Sequence, residues 1–218
     1  MSVDGKAGMI NRMTETSRQQ KLNLPLIVAF NTVYMAAAVL ASALQGNREF
    51  VFYIVVMLVI VGVFVAIHRQ VPLAQPLLWA FSVWGLLHMG GGLCPVPQGW
   101  AYQGEHAVLY SLWLIPGALK YDQVVHAYGF GVTTWLCWHL LKAALRKRGD
   151  SEPRPTVGLL TLCAAAGMGF GAFNEVVEFA AVLMLPNTNV GGYINTGWDL
   201  VANLSGAVTA AIILKIKG

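Results

Sequence analysis

Charge is scarce in this chain. Lysine, arginine, aspartate and glutamate together make up 11% of its 218 residues, while 56% are hydrophobic; soluble domains carry about 25% charged residues. A water-soluble globule is excluded, and so is a disordered chain, which lacks this much apolar surface. Cysteine is also scarce. Cys94, Cys137 and Cys163 form no C-x-x-C pair, so no disulfide framework follows; Cys137 and Cys163 read as small apolar helix residues, and Cys94, beside Pro95, as the exposed one. There is no G-x-S-x-G elbow, H-E-x-x-H, P-loop or dinucleotide fingerprint, which leaves serine-hydrolase, zincin and nucleotide chemistry without a motif. The alternating pattern of a β-barrel is missing too.

What the sequence does have is long apolar runs. A helix needs roughly 20 mainly apolar residues to cross the hydrocarbon core. Six runs qualify, approximately Leu24 to Leu44, Val51 to Ile67, Pro76 to Leu93, Tyr121 to Leu145, Thr156 to Met184 and Thr196 to Ile216. They predict an all-α polytopic membrane bundle of six transmembrane helices occupying residues 24–218, preceded by a solvated N-terminal tail, residues 1–23. Ala41, Ser42 and Ala43 resemble a signal-peptidase site, but a long polar leader precedes a full-length span, so the first helix reads as a retained anchor.

The formal net charge of +4 follows from topology. Lys6, Arg12, Arg18, Lys21, Arg69, Lys142, Arg146, Lys147, Arg148, Arg154, Lys215 and Lys217 fall on one side, and only Arg48 and Lys120 on the other. Basic residues near span ends stay cytoplasmic, so both termini are expected in the cytoplasm of a bacterial inner membrane. The basic balance is then a topological signature, with no nucleic-acid partner implied.

Between the third and fourth spans, residues 94–120 carry Pro95, Pro97, Gly99, Gly104, Pro116 and Gly117 among Trp100, Tyr102, Tyr110 and Trp113. This predicts an ordered, aromatic-rich cover at the outer surface, with Ala107 to Ile115 lying along the interface or re-entering. Its first end, Gly90, Gly91 and Gly92, suits a lid without establishing one.

Ionisable residues inside spans are expensive and mark ion routes, proton relays or catalytic centres. Asp122, Glu175, Glu178 and Asp199 fall in or at the ends of spans, with His88 and His126. At about 1.5 Å of rise per residue, all six reach the outer half of the bundle. Asp122 and His126 are i,i+4, Glu175 and Glu178 are i,i+3, and Asp199 and Asn203 are i,i+4, so each pair shares one helix face. Up to four carboxylates and two imidazoles would meet in one pocket. Mutual repulsion and lost hydration would push some of them to protonate unless a cation neutralises them, and mixed carboxylate and imidazole ligands suit zinc, iron or manganese. Di-iron bundles repeat Glu-x-x-His on two helices, whereas this chain has Glu-x-x-Glu once and Asp-x-x-x-His once. His68 and His139 fall at the cytoplasmic ends, and His106, beside Glu105, lies in the outer connection. A proton or ion route without a fixed metal, and a purely structural polar network, are the alternatives.

The order of these motifs resembles the uncharacterised bacterial inner-membrane family typified by YjdF: a histidine late in span three, Y-D-Q-V-V-H-A-Y-G opening span four, N-E-V-V-E-F late in span five and N-T-G-W-D-L-V-A-N-L-S-G-A opening span six. The resemblance covers His88 to Ala207 and implies His88, Asp122, His126, Glu175, Glu178 and Asp199 as the site. The chain departs from the family pattern at Asn195, where an aspartate is expected, and so loses one negative charge. The family implies a multi-pass membrane protein and supplies no reaction.

These readings converge on a metal-dependent enzyme at the outer leaflet, a hydrolase of a lipid or lipid-linked substrate, with Glu175 or Glu178 as general base. An iron-dependent oxidase is a second enzymatic version. A proton- or ion-coupled transporter uses the same carboxylates as transient sites, and an accessory subunit of a larger membrane complex uses them only to fix packing, with a membrane-protein partner.

Overall fold

A computed structural model describes residues 3–149 and 153–218, with side chains for residues 24–149 and 153–218. Its helices are α1 (Val3–Gln45), α2 (Arg48–Gln70), α3 (Gln75–Leu93), α4 (Tyr121–Lys147), α5 (Val157–Met184) and α6 (Tyr193–Lys217). The helix boundaries differ from the apolar runs where capping decides them. Asn47 accepts the Phe50 N–H at 3.0 Å, which starts α2 three residues ahead of its apolar run. Thr156 Oγ1 likewise accepts the Leu159 N–H and starts α5. The polar leader does not end the first helix: α1 is continuous from Val3 through Pro25, because a change of composition need not interrupt backbone hydrogen bonding. Lys6, Arg12, Arg18 and Lys21, used above to orient the chain, lie outside the described side chains.

Leu24–Gln45, Arg48–Gln70, Val157–Met184 and Tyr193–Lys217 are long and apolar enough to cross a membrane. α4 is more polar. The reason is position: it packs against α3, α5 and α6, and a helix walled off by its neighbours need not match lipid. The bundle is apolar outside and buries a small set of polar side chains within a largely apolar interior. Val33, Val59 and Leu183 are 69%, 62% and 70% exposed, whereas Asp199, Asn203 and Thr134 are 1% or less. That distribution would aggregate in water and is the one expected in lipid.

α4 and α6 approach each other closely. A Cβ at Gly206 would strike the backbone carbonyl of Ala127, and one at Gly131 would meet the Gly206 carbonyl oxygen at 3.1 Å. Small residues at such crossings bring the polar side chains of facing helices within reach of one another. α1 and α3 are joined by a polar contact the sequence did not reveal: Asn31 Nδ2 donates to Ser82 Oγ at 2.7 Å, and the Tyr34 hydroxyl donates to Asn31 Oδ1 at 2.7 Å.

Residues of all these helices, or residues adjoining their ends, meet at one end of the bundle. Gln45, Arg48, Gly92, Asp122, Leu185 and Asn195 line a single cavity there, so successive helices alternate in direction. At the other end His68 Nδ1 accepts the Leu73 N–H, and His139 Nε2 donates to the Pro72 carbonyl. Both are remote from the cavity and used locally.

The 94–120 connection roofs the cavity. It contains a 3-10 turn (Leu109–Ser111) and an antiparallel pair, β1 (Trp113–Ile115) and β2 (Leu119–Lys120), with Trp113 opposite Lys120. Within Ala107 to Ile115 the chain takes a 3-10 turn and a strand rather than a helix. Pro116 and Gly117, the latter at φ 71°, reverse the chain, and local pairing uses the backbone groups that a helix would need. Cys94 is exposed, Cys137 half-buried and Cys163 buried, none of them paired.

Candidate metal centre

His126 is the hub of the polar cluster. It is 6% exposed and projects from the second turn of α4, one turn beyond Asp122. Its Nδ1 is hydrogen-bonded to Asn203 Oδ1 at 3.0 Å, a contact of the kind that fixes the orientation of a ligating imidazole. Nε2 faces Asp122 Oδ1 at 3.5 Å and Glu178 Oε1 at 3.9 Å, while Glu175 Oε1 lies 3.7 Å from Nδ1. The i,i+4 and i,i+3 spacings thus act as the sequence suggested. Asn203 reaches the ring because α6 is drawn against both α4 and α5; a Cβ at Gly171 would lie 2.6 Å from Asn203 Nδ2.

Two overlapping groups offer ligand atoms within 4.8 Å of one another: Asp122, His126 and Asp199, and His126, Glu175 and Glu178. Five of the six residues marked by the sequence are brought together. Asp199 is held by Asn195, whose Nδ2 donates to Oδ2 at 2.6 Å, while Asn195 Oδ1 accepts from Lys120 Nζ at 3.1 Å. An amide at 195 therefore links a cation to a carboxylate, which the aspartate of the family pattern could not do without repelling Asp199. Glu178 Oε1 accepts from Asn174 Nδ2 at 2.7 Å.

Asp199 Oδ1 and Glu175 Oε1 are buried and have no hydrogen-bond partner. A buried carboxylate oxygen without a donor costs several kcal/mol unless a cation meets it or the group takes up a proton, on the order of the penalties for any unpaired buried charge. That is an observation independent of the clustering itself. Oxygen and imidazole donors at this spacing fit a divalent cation of the zinc, iron or manganese kind.

The sixth residue, His88, stands apart from both groups. Its ring stacks on Trp84 with 5.5 Å between centroids and meets Tyr53 edge-on at 5.9 Å. The Tyr110 hydroxyl is hydrogen-bonded to its Nδ1, and burial holds the Tyr110 phenol well above its usual pKa, so the phenol stays neutral. His88 is accordingly a wall of the site, fastened to the roof.

Several residues escaped the sequence reading. Glu49, in the first turn of α2, is 7% exposed and accepts the Asn189 N–H at 2.8 Å. Asn189 also donates through Nδ2 to Ser111 and accepts the His106 N–H, tying the α5–α6 connection to α2 and the roof. Glu49 was legible only as a first-turn acid after an Asn cap. Tyr53 and Tyr110 read as ordinary aromatics. His106 lines the cavity, as do Tyr53, His88, Tyr110, Asp122 and Glu178, around a volume of about 510 Å³.

Fold and site together define a helical membrane protein with a carboxylate and histidine cluster beneath a roofed cavity. The chain belongs to the family described as predicted membrane protein (DUF2238), whose model matches residues 26–217. No curated protein and no solved structure matches it.

Proposed function

We propose that this protein is a metal-dependent membrane enzyme that hydrolyses a lipid or lipid-linked substrate at the outer leaflet of a bacterial inner membrane. The observation that carries the reading is the partnerless Asp199 Oδ1, 1% exposed at the residue, beside His126 and Asp122. In this reading α3 and α4 also span, both termini are cytoplasmic, and the roofed end faces outward, since Arg48 and Lys120 are the basic residues assigned to it.

His126 with Asp122 and Asp199 would hold the cation, Glu175 lying on the Nδ1 side of the ring; the cation would acidify a water and polarise the scissile group. Glu178 also reaches the cavity and is positioned as general base. It takes one proton from the attacking water as the water oxygen bonds to the electrophilic centre. The ester bond breaks, and the leaving oxygen receives that proton as an alcohol. Lipid lies one helix away: Phe173, Val176 and Phe179 on α5 are 63%, 58% and 60% exposed. An ion route is the weaker reading, because residues 24–149 and 153–218 place no acidic residue in the half of the bundle below the cluster.

The test is hydrolysis of outer-leaflet lipids by metal-loaded protein in detergent. Glu178→Gln should lower turnover by about 10²-fold or more while retaining the metal. Turnover equal to wild type in that variant would remove Glu178 from the mechanism, and absence of any metal-stimulated hydrolysis across a lipid panel would contradict the enzymatic reading.

A further inference from the structure

The cavity lining carries groups of both signs. Asp122 and Glu178 contribute carboxylates. α2 contributes Arg48, Glu49 and Tyr53, with Asn47 ahead of them, and Glu49 is already engaged by the Asn189 N–H at 2.8 Å. Tyr53 is 7% exposed, and its hydroxyl is buried with no hydrogen-bond partner. Arg48 is exposed at the cavity and forms no ion pair among the described residues. A buried phenol without an acceptor and an unpaired guanidinium on α2 both ask for an anion. The Asp122 and Glu178 carboxylates ask for a cation.

We propose that the ligand of this cavity is a phosphate group, seated between the carboxylate–histidine centre and the α2 wall; the inference rests on the cation reading of that centre. A tetrahedral phosphate presents several oxygens in different directions, so it can meet a cation on one side while accepting from Tyr53 and Arg48 on the other. Guanidinium is the side chain best matched to it. A volume of about 510 Å³ is in the range of ligand pockets and admits more than the phosphate alone, as a headgroup requires. Arg48 is one of two basic residues assigned to this end of the molecule. The other, Lys120, is directed at Asn195 and the Trp113 ring, which leaves Arg48 as the cation available to a ligand.

The experiment is isothermal titration of inorganic phosphate into full-length protein in phosphatidylcholine nanodiscs, with manganese content measured on the same samples. Manganese-loaded wild type should bind phosphate and manganese-free protein should not. Arg48→Ala should weaken binding at least 10-fold, with Arg48→Lys in between, and Tyr53→Phe should weaken it several-fold, all at unchanged manganese content and thermal stability. Nanodiscs containing phosphatidic acid distinguish the source: competition with inorganic phosphate identifies a lipid headgroup, and lack of competition identifies free phosphate, both within the proposal. Manganese-loaded wild type that binds no phosphate, or an Arg48→Ala variant that binds as well as wild type, overturns it while leaving the cation centre standing. Protein that takes up no zinc, iron or manganese overturns both.

Discussion

At position 195 an amide performs a task that neither a carboxylate nor an apolar side chain would. Asn195 donates to Asp199 and accepts from Lys120, so it holds Asp199 in place without adding charge. Replacing it by aspartate keeps the Lys120 contact and places a second carboxylate against Asp199. Asn195→Asp is therefore expected to be less stable than wild type after chelation and to recover more stability on metal addition. Thermal unfolding with and without metal checks this; equal metal-induced shifts in the two proteins would mean that no cation reaches Asp199. Ligand occupancy of about 100 Kd is worth about 2.7 kcal/mol, so the shift is measurable. At this scale the sequence was informative about charge and blind to hydrogen-bond direction. Asp122, His126, Glu175, Glu178 and Asp199 were legible because carboxylates and imidazoles are costly in lipid. Glu49 was not, because a first-turn acid beside Asn47 looks like an ordinary helix start. Nothing in the sequence reveals that Tyr110 occupies the His88 nitrogen, since that contact joins a helix to an irregular connection.

Between elements, the site depends on how near α6 comes to α4. Gly206 sits where a methyl group would strike the Ala127 backbone, and backbone cannot move aside as a flexible side chain can. Gly206→Ala should separate the helices and cost about 1–3 kcal/mol, the range for overpacking a filled interface, and it should weaken metal binding because His126 and Asp199 lie on opposite sides of that crossing. Unfolding by a graded denaturant series and metal titration on the same samples check both parts; wild-type values would show that the crossing has slack. The roof depends on a different element. Asn189 links α2, the 3-10 turn and the α5–α6 connection through Glu49, Ser111 and His106. Asn189→Ala removes the two side-chain contacts, and hydrogen exchange should rise across residues 94–120 while the bundle helices keep their protection. The apolar runs gave the helices and their order. They did not give the hairpin within the roof, because its turn is written in Pro116 and Gly117 and its pairing uses backbone groups common to every residue.

For the molecule as a whole, the apolar exterior makes a bilayer its solvent, and the alternation of helix directions puts the cavity on one face. Cys94 is exposed at the roofed end, whereas Cys163 is buried toward the opposite end. A membrane-impermeant maleimide added to intact right-side-out spheroplasts should label the wild type, and Cys94→Ser should abolish that labelling. Labelling only after lysis would place the roof in the cytoplasm and reverse the orientation.

The most direct measurement is elemental analysis of detergent-purified protein prepared without chelators, comparing wild type with His126→Ala and Glu175→Ala at matched thermal stability. Near-stoichiometric zinc, iron or manganese in the wild type, lost from both variants, is the expected result, since these side chains converge on partnerless buried oxygens. Wild-type protein that retains none of these metals and takes none up on addition would contradict a metal centre, and the cluster would then be a structural or proton-carrying network.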